Sequence, residues 1–169
     1  DLDVSGWRVA GDIEYVFPEG ARARGQGYIV LALDPAALAA AAGLTSVFGP
    51  YTNRLANSGG TVELRNRDGR LMDRLAYESG GDWPVTPDGS GVSLAKRDRD
   101  FGSAPPANWT ASQQTGGTPG GDNFPGPGDT VVLEPLRFVS FHESSGTASG
   151  ACWLELANRS PNALGPGGC

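Results

Sequence analysis

The chain's single histidine, His142, stands beside Glu143 in RFVSFHES. An imidazole and a carboxylate side by side could share a proton in general acid–base chemistry, if a nucleophile and an open cleft stood next to them. The sequence supplies neither, and adjacent residues of a strand point to opposite faces. The pair therefore reads as ordinary strand polarity. The two cysteines, Cys152 and Cys169, bracket WLELANRSPNALGPGG. If that segment is a hairpin centred near Ser160 and Pro161, the sulfurs fall across from each other. A disulfide there is expected to add about 3 kcal/mol by restricting the unfolded chain. Two cysteines without other metal ligands nearby fit an oxidising, extracellular compartment. Calcium would need several oxygen ligands at alternate positions. TPDGSG has one carboxylate, and AKRDRD interleaves its two with three cations, so neither fits. Asp73 falls in register with the apolar residues of LMDRLAY. It is either an edge residue reaching water or a structural carboxylate, buried and taking backbone N–H bonds from a neighbouring loop. The second is favoured, because an unpaired buried charge would be very costly. No catalytic, cofactor-binding or metal-ligating constellation can be assembled, and the chain is expected not to be an enzyme and to need no cofactor.

The elements that must carry these residues are short. Twenty-six Gly and thirteen Pro, with 38% hydrophobic residues, describe a turn-rich folded chain and not a disordered one. A net charge of −6 repels nucleic acid and anionic membrane surfaces. Arg22, Arg24, Arg65, Arg67, Arg70 and Arg74 are interspersed with Asp and Glu and read as a solvated face. The longest apolar run, Tyr28 to Leu33, suits a strand and falls far short of the roughly 20 residues of a membrane helix. The sequence opens at Asp1 without a signal peptide, as expected of a processed product or a piece of something longer. Asn108-Trp109-Thr110 and Asn158-Arg159-Ser160 match the glycan acceptor pattern, the second followed by Pro161.

DLDVSGWRVAG, IEYVFPEG and GYIVLAL place aromatic and β-branched residues between Gly and Pro breaks, which predicts strands. DPAALAAAAG predicts one short helix over about 34–43: Asp34 caps it, Pro35 fits its first position, and Gly43 suits the left-handed residue after its end. Such a helix is marginal alone and must lean on the sheet through Leu38 and Leu44. TVELRNRDGRLMDRLAY predicts a hairpin that turns at Asp68-Gly69. In the loop-rich stretch 78–130 only Val92 to Leu94 is a credible strand, with Trp83 and Trp109 plugging the loops onto the body. Residues 116–130 read as a Gly/Pro-rich linker. VVLEP, RFVSFHES and ACWLELAN then restart the strand pattern, with a bulge expected where Phe138 and Phe141 fail to alternate.

In order along the chain, DLDVSGWRVAGDIEYVFPEG, GYIVLALDPAAL, VFGPYTNRLANSGGTVELRNRDGRLMDRLAY, GDWP with DGSGVSL, and NWTAS with GGTPG resemble the bacterial lamin tail domain from about Val4 to Asn123. The resemblance implies an immunoglobulin-like β-sandwich. The residues themselves give the same all-β class, from many short strands, many turns and one short helix. In that family a strand like RFVSFHES and one like WLELANRS precede the SGW segment. Here nothing precedes DLDVSGW, and both strands stand at the other end. Residues 1–123 therefore read as a sandwich lacking its first two strands, and residues 131–169 as the pieces that complete this copy or a neighbouring one. Phe138, Phe141, Trp153, Leu154 and Leu156 are the expected complementation residues.

The expected function is a non-enzymatic structural or interaction module, extracellular or at the cell surface. Its partner is protein, including copies of itself, either joined head-to-tail by strand complementation or repeated in tandem. A carbohydrate- or ligand-binding module is the alternative. It requires that at least two of Tyr15, Tyr28, Tyr51, Trp83 and Trp109 form one solvent-facing platform. Nucleic acid and membrane insertion are not expected.

Overall fold

The computed structural model describes residues 1–124, 136–142 and 153–158. Its strands are β1 (Leu2–Asp3), β2 (Arg8–Gly11), β3 (Ile13–Val16), β4 (Arg22–Ala23) and β5 (Tyr28–Ala32), followed by helix α1 (Pro35–Ala42). Then come β6 (Thr52–Asn53), β7 (Gly59–Arg65), β8 (Leu71–Glu78), β9 (Val92–Lys96), β10 (Trp109–Thr115), β11 (Leu136–His142) and β12 (Trp153–Asn158). The described residues are all-β apart from α1 and two short helical turns. VVLEP, Glu143, Cys152 and Cys169 lie outside the described residues. No helix among the described residues is long and apolar enough to cross a membrane.

Two antiparallel five-stranded sheets form the body, in the orders β6-β3-β2-β7-β8 and β10-β9-β11-β12-β5. Alternation along each strand sends one set of side chains to a shared interior. Val9, Ile13, Val62, Leu64, Leu75 and Tyr77 of the first sheet meet Ile29, Leu31, Leu94, Trp109, Leu154 and Leu156 of the second in one hydrophobic cluster. The β7–β8 hairpin follows the sequence pattern, with Val62 and Leu64 facing inward on one arm and Leu75 and Tyr77 on the other. Its turn is longer than a two-residue one. Asn66 Oδ1 accepts the N–H groups of Asp68 and Arg70, while Gly69 takes the left-handed conformation.

Helix α1 starts where the Asp34 carboxylate accepts the Ala37 N–H, and ends at Gly43, whose φ of 66° is the left-handed C-cap. Its one buried side chain, Leu38, packs with Val30 and Ala32 of β5, and Leu44 and Val47 close the patch. The outer face of β5 is thereby covered. Phe48 exchanges backbone hydrogen bonds with Val30 and Ala32 along the free side of β5, so that edge is blunted too. Besides the two-residue strands β4 and β6, one long strand was not legible in advance. WTASQQT alternates weakly, yet β10 runs through it because its backbone pairs with β9.

Candidate functional site

The two C-terminal strands lie inside the second sheet and not at its edge. β11 pairs with β9 through Ser140↔Ala95 and Phe141↔Leu94, β12 pairs with β11, and β12 pairs with β5 from Trp153↔Ala32 to Ala157↔Tyr28. A register shift falls between Phe138 and Ser140, where the apolar alternation breaks. Without the hairpin, β9 and β5 would face each other across a two-strand slot, each with a bare backbone edge. Leu154 and Leu156 fill the interior side of this slot and are fully buried. Phe138, Phe141 and Trp153 hold register positions in the same hairpin; their side chains lie outside the described ones.

The outer side of the slot is unexpected. Alternation places Glu155 on the face away from the common core, opposite Val30, where a solvent-facing residue would be ordinary. Glu155 is instead 0% exposed. The loop after β10 folds over it, and the Gly120 N–H donates to Glu155 Oε2. Gly120 can approach this closely only as glycine. Its φ is +79°, and a Cβ there would stand 2.7 Å from Leu44 Cδ2. The rest of the loop is also tied down. Thr118 Oγ1 donates to Asn123 Oδ1, Gly121 N–H donates to Thr118 O, Arg99 approaches Asp122 at 3.8 Å, and the Tyr28 hydroxyl donates to Asp122. Burial and the Asp122 acceptor hold the Tyr28 hydroxyl protonated well above the usual tyrosine range. Residues 116–123, which read from sequence as the start of a linker, thus form a clasp over β12.

A second polar cluster lies in the interior. Lys96, the only lysine of the chain, is 1% exposed. Its Nζ donates to Phe101 O at 3.1 Å and to Ser103 Oγ at 2.9 Å, and it sits 5.3 Å from the Trp109 ring centroid. Ser103 Oγ donates to Asp73 Oδ2 at 2.7 Å, Asp73 Oδ1 accepts the Arg74 N–H at 2.9 Å, and Trp109 Nε1 donates to Ser103 O at 2.9 Å. Asp73 is therefore buried and bonded, and its loop-side donor is a serine hydroxyl. A lysine beside a serine can serve as base and nucleophile. Here Ser103 gives its proton to Asp73, and Lys96, Ser103 and Trp109 are sealed from solvent. The cluster joins β8, β9, β10 and the 97–108 loop by charge-assisted bonds, and a substrate has no approach to it. Local sequence hides it. The available signal was one lysine among twelve arginines, since an ammonium is a compact three-proton donor and a planar guanidinium is not its equivalent.

Of the aromatic residues that the ligand-binding alternative would need on a solvent-facing platform, Tyr51, Trp83 and Trp109 are buried, with the Trp83 and Trp109 rings 6.2 Å apart in the core. Tyr15 packs edge-on against Phe17 in the first sheet, and Tyr28 belongs to the second. A groove of about 870 Å³ beside the clasp is lined by Glu19, Arg22, Arg24, Tyr28, Leu44 and Phe48, among others, and mixes charges of both signs with apolar groups. No group of three or more potential metal-ligating side chains occurs among the described residues. Comparison with protein-family models, with curated proteins and with solved structures gave no match.

Proposed function

We propose that this chain is a non-enzymatic structural module of an extracellular or cell-surface protein, an immunoglobulin-like sandwich of the lamin-tail type whose β11–β12 hairpin is an exchangeable part. The hairpin fills the slot of its own copy or the same slot in a neighbouring copy. Repeating the second arrangement head-to-tail gives a contact that does not close on itself, and hence a filament. The observation that carries this reading is the position of β12, paired between β11 and β5 with Leu154 and Leu156 in the common core. These are the last two described strands, yet the middle of the sheet depends on them. An empty slot would expose two strand edges and core side chains together, which favours its being filled from whichever copy can reach it.

The test is to unfold and refold a concentrated mixture of ¹⁵N-labelled and unlabelled full-length chain, then follow it by light scattering and native mass spectrometry. Dimers or longer assemblies containing both labels, and persisting for a time after dilution, are expected. A strictly monomeric chain at every concentration after refolding contradicts self-association.

A further inference from the structure

The strand slot has a selectivity element, and the geometry points to Glu155. We propose that its buried carboxylate, met by the Gly120 N–H, fixes the register of the inserted strand and restricts the slot to this segment of this chain, delivered by the same copy or by a second one. The inference rests on the exchange reading above for the second copy only; for the chain's own strand it stands alone.

Register is the first support. A one-residue slip of β12 would turn Leu154 and Leu156 outward and drive the Glu155 carboxylate into the hydrophobic cluster. A two-residue slip would keep the leucines inward, but would bring Trp153 or Ala157 opposite Val30 and carry the carboxylate away from Gly120. The clasp N–H would then lose its acceptor in a covered site, where an unmade hydrogen bond is costly. The leucines alone cannot tell the native register from the two-residue slip; Glu155 can.

The receiving side is the second support. Gly120 lies against Leu44 and Val30, so a backbone donor meets the carboxylate where the loop packs closely on the sheet, with the Tyr28 ring near enough to feel its charge. On the same loop Asp122 is engaged by Tyr28 and Arg99. A strand bringing a cation to this point would oppose an N–H donor, and one bringing an aliphatic residue would leave that donor unpaired. The chain contains a comparison. Val62-Glu63-Leu64 in β7 has the same apolar–Glu–apolar form, but Glu63 reaches the surface and bonds the side chain of Arg65. In β12 the residue two positions on is Ala157, and the Glu155 carboxylate accepts from the backbone of the clasp.

Hydrogen exchange on the full-length chain tests this. Glu155→Gln is expected to lower protection at Gly120 and at residues 154–157 together by about tenfold or more, because a charge-assisted bond becomes a neutral one. Glu155→Leu, apolar on both faces, is expected to give two exchanging populations at residues 153–158 as the register loosens. Glu63→Gln is expected to leave these amides unchanged. Unaltered protection in both Glu155 variants, or a loss confined to Gly120, overturns the proposal. If a Glu155 variant does not fold, Gly120→Ala approaches the same bond from the clasp side and should produce the same coupled loss; if it leaves residues 154–157 as protected as before, the proposal is equally overturned. A coupled loss in a chain that never forms mixed-label assemblies upholds Glu155 as the selectivity element for the chain's own strand and removes only the self-association reading.

Discussion

Leu156→Ala probes the hairpin's contribution to the core. Leu156 is fully buried, stands opposite Ile29 of β5 and Phe138 of β11, and belongs to the hydrophobic cluster shared by both sheets. Truncation to Ala removes three carbons, worth about 0.8 kcal/mol each in burial, or about 2.4 kcal/mol. Five-stranded layers on both sides limit collapse around the gap, so a cavity term brings the expected loss to about 3 kcal/mol. With a urea slope of about 2 kcal/mol per molar, the unfolding midpoint should fall by about 1.5 M. Leu71→Ala, at a residue 44% exposed on the outer strand of the other sheet, is the comparison and should cost about 0.5 kcal/mol or less. Equal midpoints for the two variants would mean that β12 is not in the core, and the slot would lose its physical basis. A Leu156→Ala midpoint that rises with protein concentration would show instead that the core is completed by another copy.

Three further outcomes are expected. Lys96→Met takes the cation from a buried network that includes a carboxylate, so it should cost about 3 kcal/mol in chemical unfolding, and in the native wild type Lys96 should escape amine-reactive reagents that label the N-terminus; fast native labelling of Lys96 would contradict its burial. Tyr28 should ionise well above the usual tyrosine range, because its folded hydroxyl holds its proton more tightly than the unfolded one. That stabilisation is complete below about pH 10 and is lost above it, where the unfolded chain releases the proton first; Tyr28→Phe should remove one tyrosine equivalent from the part of an ultraviolet titration above the usual range, and an unchanged titration contradicts the bond to Asp122. Cys152 and Cys169 are expected to take up alkylating reagent only after reduction, read by intact mass; alkylation without reductant shows free thiols.

The parts of the fold legible in the sequence are those set by local periodicity and local caps. Val62, Leu64, Leu75 and Tyr77 announce their hairpin, and Asp34, Pro35 and Gly43 bound their helix, because each signal lies within a few residues of its effect. The break in alternation at Phe138 likewise marks a register shift. What was not legible depends on residues far apart in the chain. Glu155 has the sequence position of a solvent-facing strand residue, and only a loop thirty-five residues earlier makes it interior. GGTPGGD has the composition of a flexible linker, but the same glycines permit the positive φ values and close approach that fold it down on β12. WTASQQT carries little strand signal of its own, and β10 exists because β9 supplies a partner. The Lys96–Ser103–Asp73 network is assembled from two strands and a loop, with no spacing that marks it in one dimension.

The claim on which the module depends is tested most directly by cross-strand nuclear Overhauser contacts in the full-length chain, recorded on dilute uniformly labelled protein and again on a refolded mixture of labelled and unlabelled chains with isotope filtering. Contacts linking Leu154 with Leu31 and Leu156 with Ile29 are expected in the dilute sample, with a share between labelled and unlabelled chains in the mixture. Their absence from both samples, with β5 next to some strand other than β12, would contradict it.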